Sequence, residues 1–273
     1  MKLAFTTLAC PEWDLETIIR KGAEYGFDGV DFRGTGSGID ITEQPEFTAG
    51  IEATRALIAE SGLVVSGVSS SIRICDTDKL EANLEEARRT IPVALALGAK
   101  QIRVFGYGDE GASRAEWVAQ GARCMQAILK LEGAEQLDWL LEMHDYWVDS
   151  ADCRMLLDAV GHPCFRILWD IGHTTRIGTE SPETTFAQLG SFIPCVHLKD
   201  AVFDESHEFA MKDGWRYVLP GEGQLPLAKA VATLKSGGYA GWYVFEHEKR
   251  WHADLEEPDV ALQAYVKWLR SLS

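Results

Sequence analysis

Four side chains able to bind metal recur at the ends of apolar segments in the second half of the chain. Glu142 lies in WLLEMH (139–144) and Asp170 in RILWDI (166–171). His197 lies in CVHLK (195–199) and Glu246 in WYVFEH (242–247). Each interrupts a run otherwise suited to a core. A lone residue of this kind is ordinarily a surface or salt-bridged group, so it is the repetition that points to a site. Three carboxylates and an imidazole in one pocket repel unless a cation sits among them. Oxygen-rich ligation with one nitrogen suits Mn²⁺, Mg²⁺, Co²⁺ or Zn²⁺. Geometry alone does not choose among them; one ion is expected, with Mn²⁺ favoured.

Neighbouring residues extend the set. His144 lies two residues after Glu142 and so shares its side of a strand. It is either a third acid/base group or a structural histidine bonding a ligand carboxylate. Lys199 stands in the same relation to His197. It neutralises an oxyanion, or it forms a salt bridge to Asp170 or Glu142. Arg33 and Arg103 end two earlier segments, GVDFR (29–33) and QIRVFGY (101–107). Two arginines at one mouth suggest a carboxylate or phosphate on a substrate, or else pairing with Asp31 or another wall carboxylate. His247 alternates away from the pocket and is expected behind it. Lys249 to His252 form a basic, aromatic patch, at the entrance or at a subunit contact. Trp139, Trp169 and Trp242 read as core or wall residues.

The elements that must position these groups alternate. Strands are expected at 3–7, 29–33, 64–70, 101–107, 139–144, 166–171, 195–199 and 242–247. Helices are expected at 14–25, 49–61, 78–97, 114–132, 150–160, 183–190, 226–236 and 259–271. Asp14 with Thr17 opens the first helix, and Gly26, Gly62, Gly98, Gly161 and Gly237 close others. Such alternation demands a parallel sheet. Eight repeats in 273 residues suit a closed (β/α)8 TIM barrel forming one domain over 1–273. An open doubly wound sheet usually carries a glycine-rich turn after its first strand, and TTLACPEW has no glycine. Glu142, Asp170 and His197 are 28 and 27 residues apart, about one βα unit of this fold. His197 and Glu246 are 49 apart because the stretch 201–225 intervenes. That stretch, ending in Pro220-Gly221-Glu222-Gly223, reads as an ordered loop or short hairpin over the site. Gly34 to Gly38 reads as a flexible loop at the barrel mouth.

Composition narrows the partners. The net charge is −16 and the pI about 4.8. Phosphate backbones and anionic membranes are thereby disfavoured, and a small molecule is expected instead. Hydrophobic residues reach 46%, enough for a large core. Six cysteines form no CxxC pair, which fits a reduced, cytoplasmic protein. The N-terminal MKLAFTTLACPEWD reads as a strand rather than a signal peptide, and no apolar run reaches membrane-span length. Homo-oligomerisation is left open.

LLEMHD, WDIGHT, VHLKD, PGEG and GWYVFEHE resemble the xylose-isomerase-like barrel superfamily of sugar phosphate isomerases and epimerases. The resemblance covers essentially the whole chain. That superfamily includes tagatose/psicose 3-epimerases, hydroxypyruvate isomerases, inosose dehydratases and type-IV apurinic endonucleases. The resemblance implies that Glu142, Asp170, His197 and Glu246 hold the metal, and that His173 contacts substrate oxygens. It also implies that Glu142 and Glu246 double as the acid/base pair. The endonucleases use three zinc ions and extra histidines on earlier strands. Here the first histidine is His144, and the early strand ends carry Ser69 to Ser71 and Arg103. True xylose isomerases use two metals and a longer chain. The expected activity is therefore divalent-metal-dependent isomerisation or epimerisation of a sugar, sugar phosphate or sugar acid, by proton transfer through a metal-stabilised enediolate. The runner-up is a lyase resembling 3-dehydroshikimate or inosose dehydratases, favoured by His144, Lys199 and the arginines. A non-catalytic carbohydrate-binding protein is the third reading.

Overall fold

The computed structural model describes residues 1–272. Ten strands form: β1 (Lys2–Thr6), β2 (Gly29–Phe32), β3 (Val64–Arg73), β4 (Gln101–Phe105), β5 (Asp138–Glu142), β6 (Phe165–Asp170), β7 (Cys195–Leu198), β8 (Asp200–Phe203), β9 (Trp215–Val218) and β10 (Trp242–Phe245). Nine α-helices lie between and after them: α1 (Leu15–Tyr25), α2 (Ile51–Ser61), α3 (Leu80–Ala96), α4 (Arg114–Ile128), α5 (Ser150–Val160), α6 (Ile171–Arg176), α7 (Pro182–Leu189), α8 (Leu227–Ser236) and α9 (Pro258–Ser271). Eight strands close a parallel barrel in the order β1–β10–β7–β6–β5–β4–β3–β2, and β8 pairs with β9 as a separate hairpin. The expected (β/α)8 barrel is the observed one. Among the described residues no helix is long and apolar enough to cross a membrane.

Strand alternation sorts the side chains into two layers. Ala4, Leu140, Leu168, Cys195 and Val244 form a small apolar cluster of their own. They come from five barrel strands and fill its interior. Their sequence neighbours, among them Phe5, Trp139, Trp169, Val196 and Tyr243, belong to the large core packed with the helices. Local signals set the helix ends. Asp14 accepts a hydrogen bond from the Thr17 amide at 2.8 Å and starts α1. Ser113 and Glu116 form a reciprocal capping box on α4.

The departures from expectation are local. The sixth strand ends at Asp170 rather than 171. Its carboxylate caps α6, a helix of six residues that the sequence pattern did not reveal. Gly172, Thr174 and Thr175 are weak helix formers, so the cap and burial sustain this turn and a half. The fourth helix ends at Ile128, short of 132, and Gly133 turns the chain with φ near 79°. Gly237 follows α8 with φ −81°; the left-handed residue is Gly238.

The long stretch after β7 is the β8–β9 hairpin, held at its base by Asp200. Asp200 is buried and accepts hydrogen bonds from the backbone amides of Ala201, Gly221, Gly223 and Leu225, at 2.9–3.3 Å. Gly223 is required there, because a Cβ would stand 2.0 Å from Asp200 Oδ1. Replacing Asp200 with alanine leaves these amides without their acceptor. The expected loss is about 2 kcal/mol of unfolding free energy, measured by urea titration, and an unchanged midpoint would contradict this anchoring role.

Candidate metal centre

The site is built one step above the apolar filling of the barrel. Glu142 lies two residues past Leu140, Asp170 past Leu168, His197 past Cys195 and Glu246 past Val244. The two-residue period therefore carries all four from the interior layer to the barrel's carboxyl end. Asp170 and His197 are directly paired, while Glu142 pairs with Leu168 and Val244 with His197. All four side chains are buried, and one ligand atom from each lies within 4.8 Å of the others.

The oxygens divide their work. Glu142 Oε1 and Glu246 Oε1 lie 3.5 and 3.3 Å from His197 Nδ1. The other Glu142 oxygen faces Arg103 Nε at 3.3 Å, and that guanidinium also covers the Phe105 ring. The other Glu246 oxygen accepts a 2.5 Å hydrogen bond from Lys199. Lys199 also lies 2.9 Å from Asp170 Oδ2 and donates to Glu248 at 2.8 Å. Asp170 Oδ1 accepts the His173 amide at 2.9 Å. So Lys199 and Arg103 hold the outer oxygens, and the inner ones converge on His197.

Electrostatics follow from burial and these contacts. Burial pushes Glu142 up, but Arg103 and the His197 hydrogen bond overcome it and bring it to about 2. Burial likewise opposes ionisation of Glu246, and Lys199 with His197 hold it well below the usual range. Asp170 rises to about 6 because burial outweighs Lys199. Burial pushes His197 down, yet the two glutamates lift it to about 10. His173 falls well below its ordinary value through burial and the Lys199 charge.

The donor set fits a divalent ion. Ligand bonds of about 2.1 Å place opposite donors about 4.2 Å apart, close to the observed spread. His197 Nε2 is buried without a hydrogen-bond partner in the protein, and Nδ1 touches only the two glutamate oxygens, at 3.3 and 3.5 Å, where an ion shared with those oxygens would lie. Glu142, Asp170, His197 and Glu246 are the residues that would hold the ion.

Other sequence-derived candidates surround a cavity of about 240 Å³ above this cluster. Its lining includes Arg33, Arg103, Glu142, His144, Glu246 and Trp251. His144 Nδ1 lies 2.8 Å from Asp145, which is not one of the ligand carboxylates, and its ring packs 3.9 Å from that of His173. Burial depresses His144, but Asp145 and Glu142 raise it overall. Arg103 pairs with a wall carboxylate, Glu142, as one alternative held; Arg33 does not pair with Asp31, which accepts from Ser69 instead. Lys199 bridges Asp170 as anticipated, and Glu246 rather than Glu142. His247 is turned away and bonds the Glu256 carbonyl at 2.8 Å. Trp251 is 56% exposed at the cavity rim, so part of the 249–252 patch does line the entrance.

Other residues escaped the sequence reading. Glu248 joins Lys199 to Tyr217 of the hairpin, whose hydroxyl donates at 3.1 Å. The two-residue rule applied from Glu246 would have found Glu248; nothing in the sequence placed Tyr217. Asp145 and Tyr107 adopt φ of 50° and 54° at the mouth, a left-handed backbone that non-glycine residues rarely take.

A closed barrel with an acidic, histidine-bearing pocket at the carboxyl ends of its strands describes a class of enzymes. Within that class, the chain belongs to the xylose isomerase-like TIM barrel family, whose model matches residues 19–272. The L-ribulose-5-phosphate 3-epimerase UlaE of Salmonella paratyphi C (strain RKS4594) is 25% identical over 196 residues, covering 69% of this chain. The chain spans 63% of that relative's length. In structure it is similar to the probable 3-DHS dehydratase AsbF of Bacillus anthracis, with TM-score 0.80, 20% identity and 99% of each chain covered. It is also similar to the 3-keto-D-glucoside 4-epimerase YcjR of E. coli, with TM-score 0.77, 20% identity and the same coverage.

A cation bound here would take the place of the proton that His197 holds between the glutamates. Binding is therefore expected to release about one proton and to tighten as pH rises from about 6 to 9. Calorimetry with Mn²⁺ in buffers of different ionisation enthalpy measures both. His197→Ala should lose the binding, and tight pH-independent binding would contradict the assigned ligand set.

Proposed function

We propose that the chain is a divalent-metal-dependent isomerase or epimerase of a small sugar or sugar derivative. The convergence of Glu142, Asp170, His197 and Glu246 within 4.8 Å carries this reading. A bound divalent ion would supply Lewis acidity toward a substrate carbonyl and its neighbouring hydroxyl, and Mn²⁺ is the proposed ion. Glu142 and Glu246 approach His197 from strands separated by β6 and β7. Two carboxylates on opposite sides of a bound sugar can remove a proton from the carbon beside the carbonyl and return one to the other face. That exchange inverts the carbon; return to the adjacent carbon moves the carbonyl. Both glutamates are ionised at neutral pH, and Arg103 and Lys199 keep them oriented. His173 carries no proton charge and has both ring nitrogens free of protein partners, which suits hydrogen bonding to substrate oxygens. The cavity is smaller than the range of about 300–1,000 Å³ typical of drug-sized ligands, consistent with one small carbohydrate.

His144 supports a second reading, a lyase on the same scaffold. It lines the cavity with Asp145 against Nδ1, an arrangement that leaves Nε2 to accept a substrate proton. Loss of a β-hydroxyl as water would then follow proton removal.

Glu246→Gln should lower deuterium exchange into a ketose substrate by at least about 100-fold, the usual contribution of a positioned acid/base group, with the fold intact by circular dichroism. Mass spectrometry of the recovered sugar separates the readings. Exchange without mass loss fits epimerisation, and loss of 18 mass units fits dehydration. Full exchange in the variant would remove Glu246 from the mechanism.

A further inference from the structure

The cavity has walls of opposite charge. Glu142, Glu246 and Glu248 stand on one side; on the other are Arg33, the residue after β2, with Arg73 of β3 and Arg103 of β4. Arg103 is neutralised by Glu142. Arg33 has no carboxylate in contact; Glu86, Glu142 and Asp40 act on it only through space. Its Nη1 donates to the Ser69 carbonyl at 3.3 Å and to Ser71 Oγ at 2.9 Å, both uncharged oxygens. Among the described residues no carboxylate oxygen lies within 4.0 Å of its guanidinium, and none accepts a hydrogen bond from its Nε or Nη2. Arg73 stands at the rim, its guanidinium 4.0 Å from the Tyr107 ring centre, with Asp76 at 3.8 Å as counter-ion. Burial and the facing Arg103 charge push Arg33 down to about 9, which leaves it protonated at neutral pH.

A half-buried guanidinium with no carboxylate in direct contact is costly to maintain. A chain of net charge −16 also repels anions at long range. An anionic group reaching this pocket therefore needs a local partner, and Arg33 offers an unused pair of donors in the fork geometry that matches a carboxylate. Phosphates in barrels of this kind are frequently held by backbone amides of the loops after the seventh and eighth strands. In the loop after β7 those amides are taken: Gly221, Gly223 and Leu225 all donate to Asp200.

We propose that Arg33, with Arg73 at the rim, forms a subsite for the carboxylate of a sugar-acid substrate, across the cavity from the metal-binding cluster. This deepens the proposed function and rests on its placing of the carbonyl end of the substrate at the cluster. The substrate is a hydroxy-ketone bearing one carboxylate. It enters with its acid end toward β2 and β3.

The test is calorimetric titration of the Mn²⁺-supplemented protein with a matched six-carbon ketose series: D-fructose, its C6 acid D-fructuronate and its C6 ester D-fructose 6-phosphate. Fructuronate is expected to bind about tenfold more tightly than fructose, the equivalent of about 1.4 kcal/mol for one charge-assisted contact. The phosphate ester should gain nothing comparable. Arg33→Ala should abolish the preference for fructuronate over fructose. Arg73→Ala, at an exposed position, should reduce it and serves where Arg33→Ala does not fold. Equal affinity for fructose and fructuronate, tighter binding of the phosphate ester, a preference that survives both substitutions, or no binding by any of the three overturns the subsite. Fructuronate selectivity that depends on Arg33 but not on Mn²⁺ or Glu246 would instead overturn the proposed metal chemistry and leave the subsite standing.

Discussion

Lys199 is the interaction on which the site depends. A barrel that places Asp170, Glu246 and Glu248 around one buried point confines three negative charges where water cannot screen them. The ammonium contacts all three at 2.5–2.9 Å. Burial alone would strip its proton, but the carboxylates hold it firmly charged. Arg103 does the same for the outer oxygen of Glu142. These fixed cations let the chain keep ionised carboxylates pointed inward through folding, so the protein contribution to the site is organised in advance of any ligand.

The same backbone periodicity that makes the core also makes the site. Leu140, Leu168, Cys195 and Val244 fill the interior, and the next inward position on each strand is polar. That explains why the site was legible from one sequence. A strand pattern with a period of two and a repeat of about 30 residues sufficed to bring Glu142, Asp170 and His197 together. Glu246 followed once the intervening stretch was recognised as an insertion rather than as a missing repeat. The barrel itself was legible for the same reason.

Partnerships between distant loops were not legible. Tyr217 reaches Glu248 only because the hairpin folds back over the mouth, and its position depends on Asp200 gathering amides up to 25 residues away. Helix α6 was hidden because its residues are poor helix formers held by Asp170 and tertiary packing. Arg33 was identified as a mouth residue, but its lack of a carboxylate partner is a property of three dimensions: Asp31, the adjacent candidate, faces Ser69. The helix expected to reach 132 stopped at Ile128, because a glycine such as Gly133 marks where a chain is able to turn, while the neighbouring residues decide where the helix ends.

Glu248 is shared between the barrel floor, through Lys199, and the hairpin, through Tyr217. The hairpin is thereby wired into the charge balance of the pocket as well as covering it. The hairpin has its conformational freedom concentrated in the tip between Phe203 and Trp215, where Phe203 and Phe209 are solvent-facing. Closer to the anchor, any change of shape is also a change of electrostatics. Rearrangement of the hairpin is thus confined to its outermost turn, with the inner strands holding the charge state of the pocket.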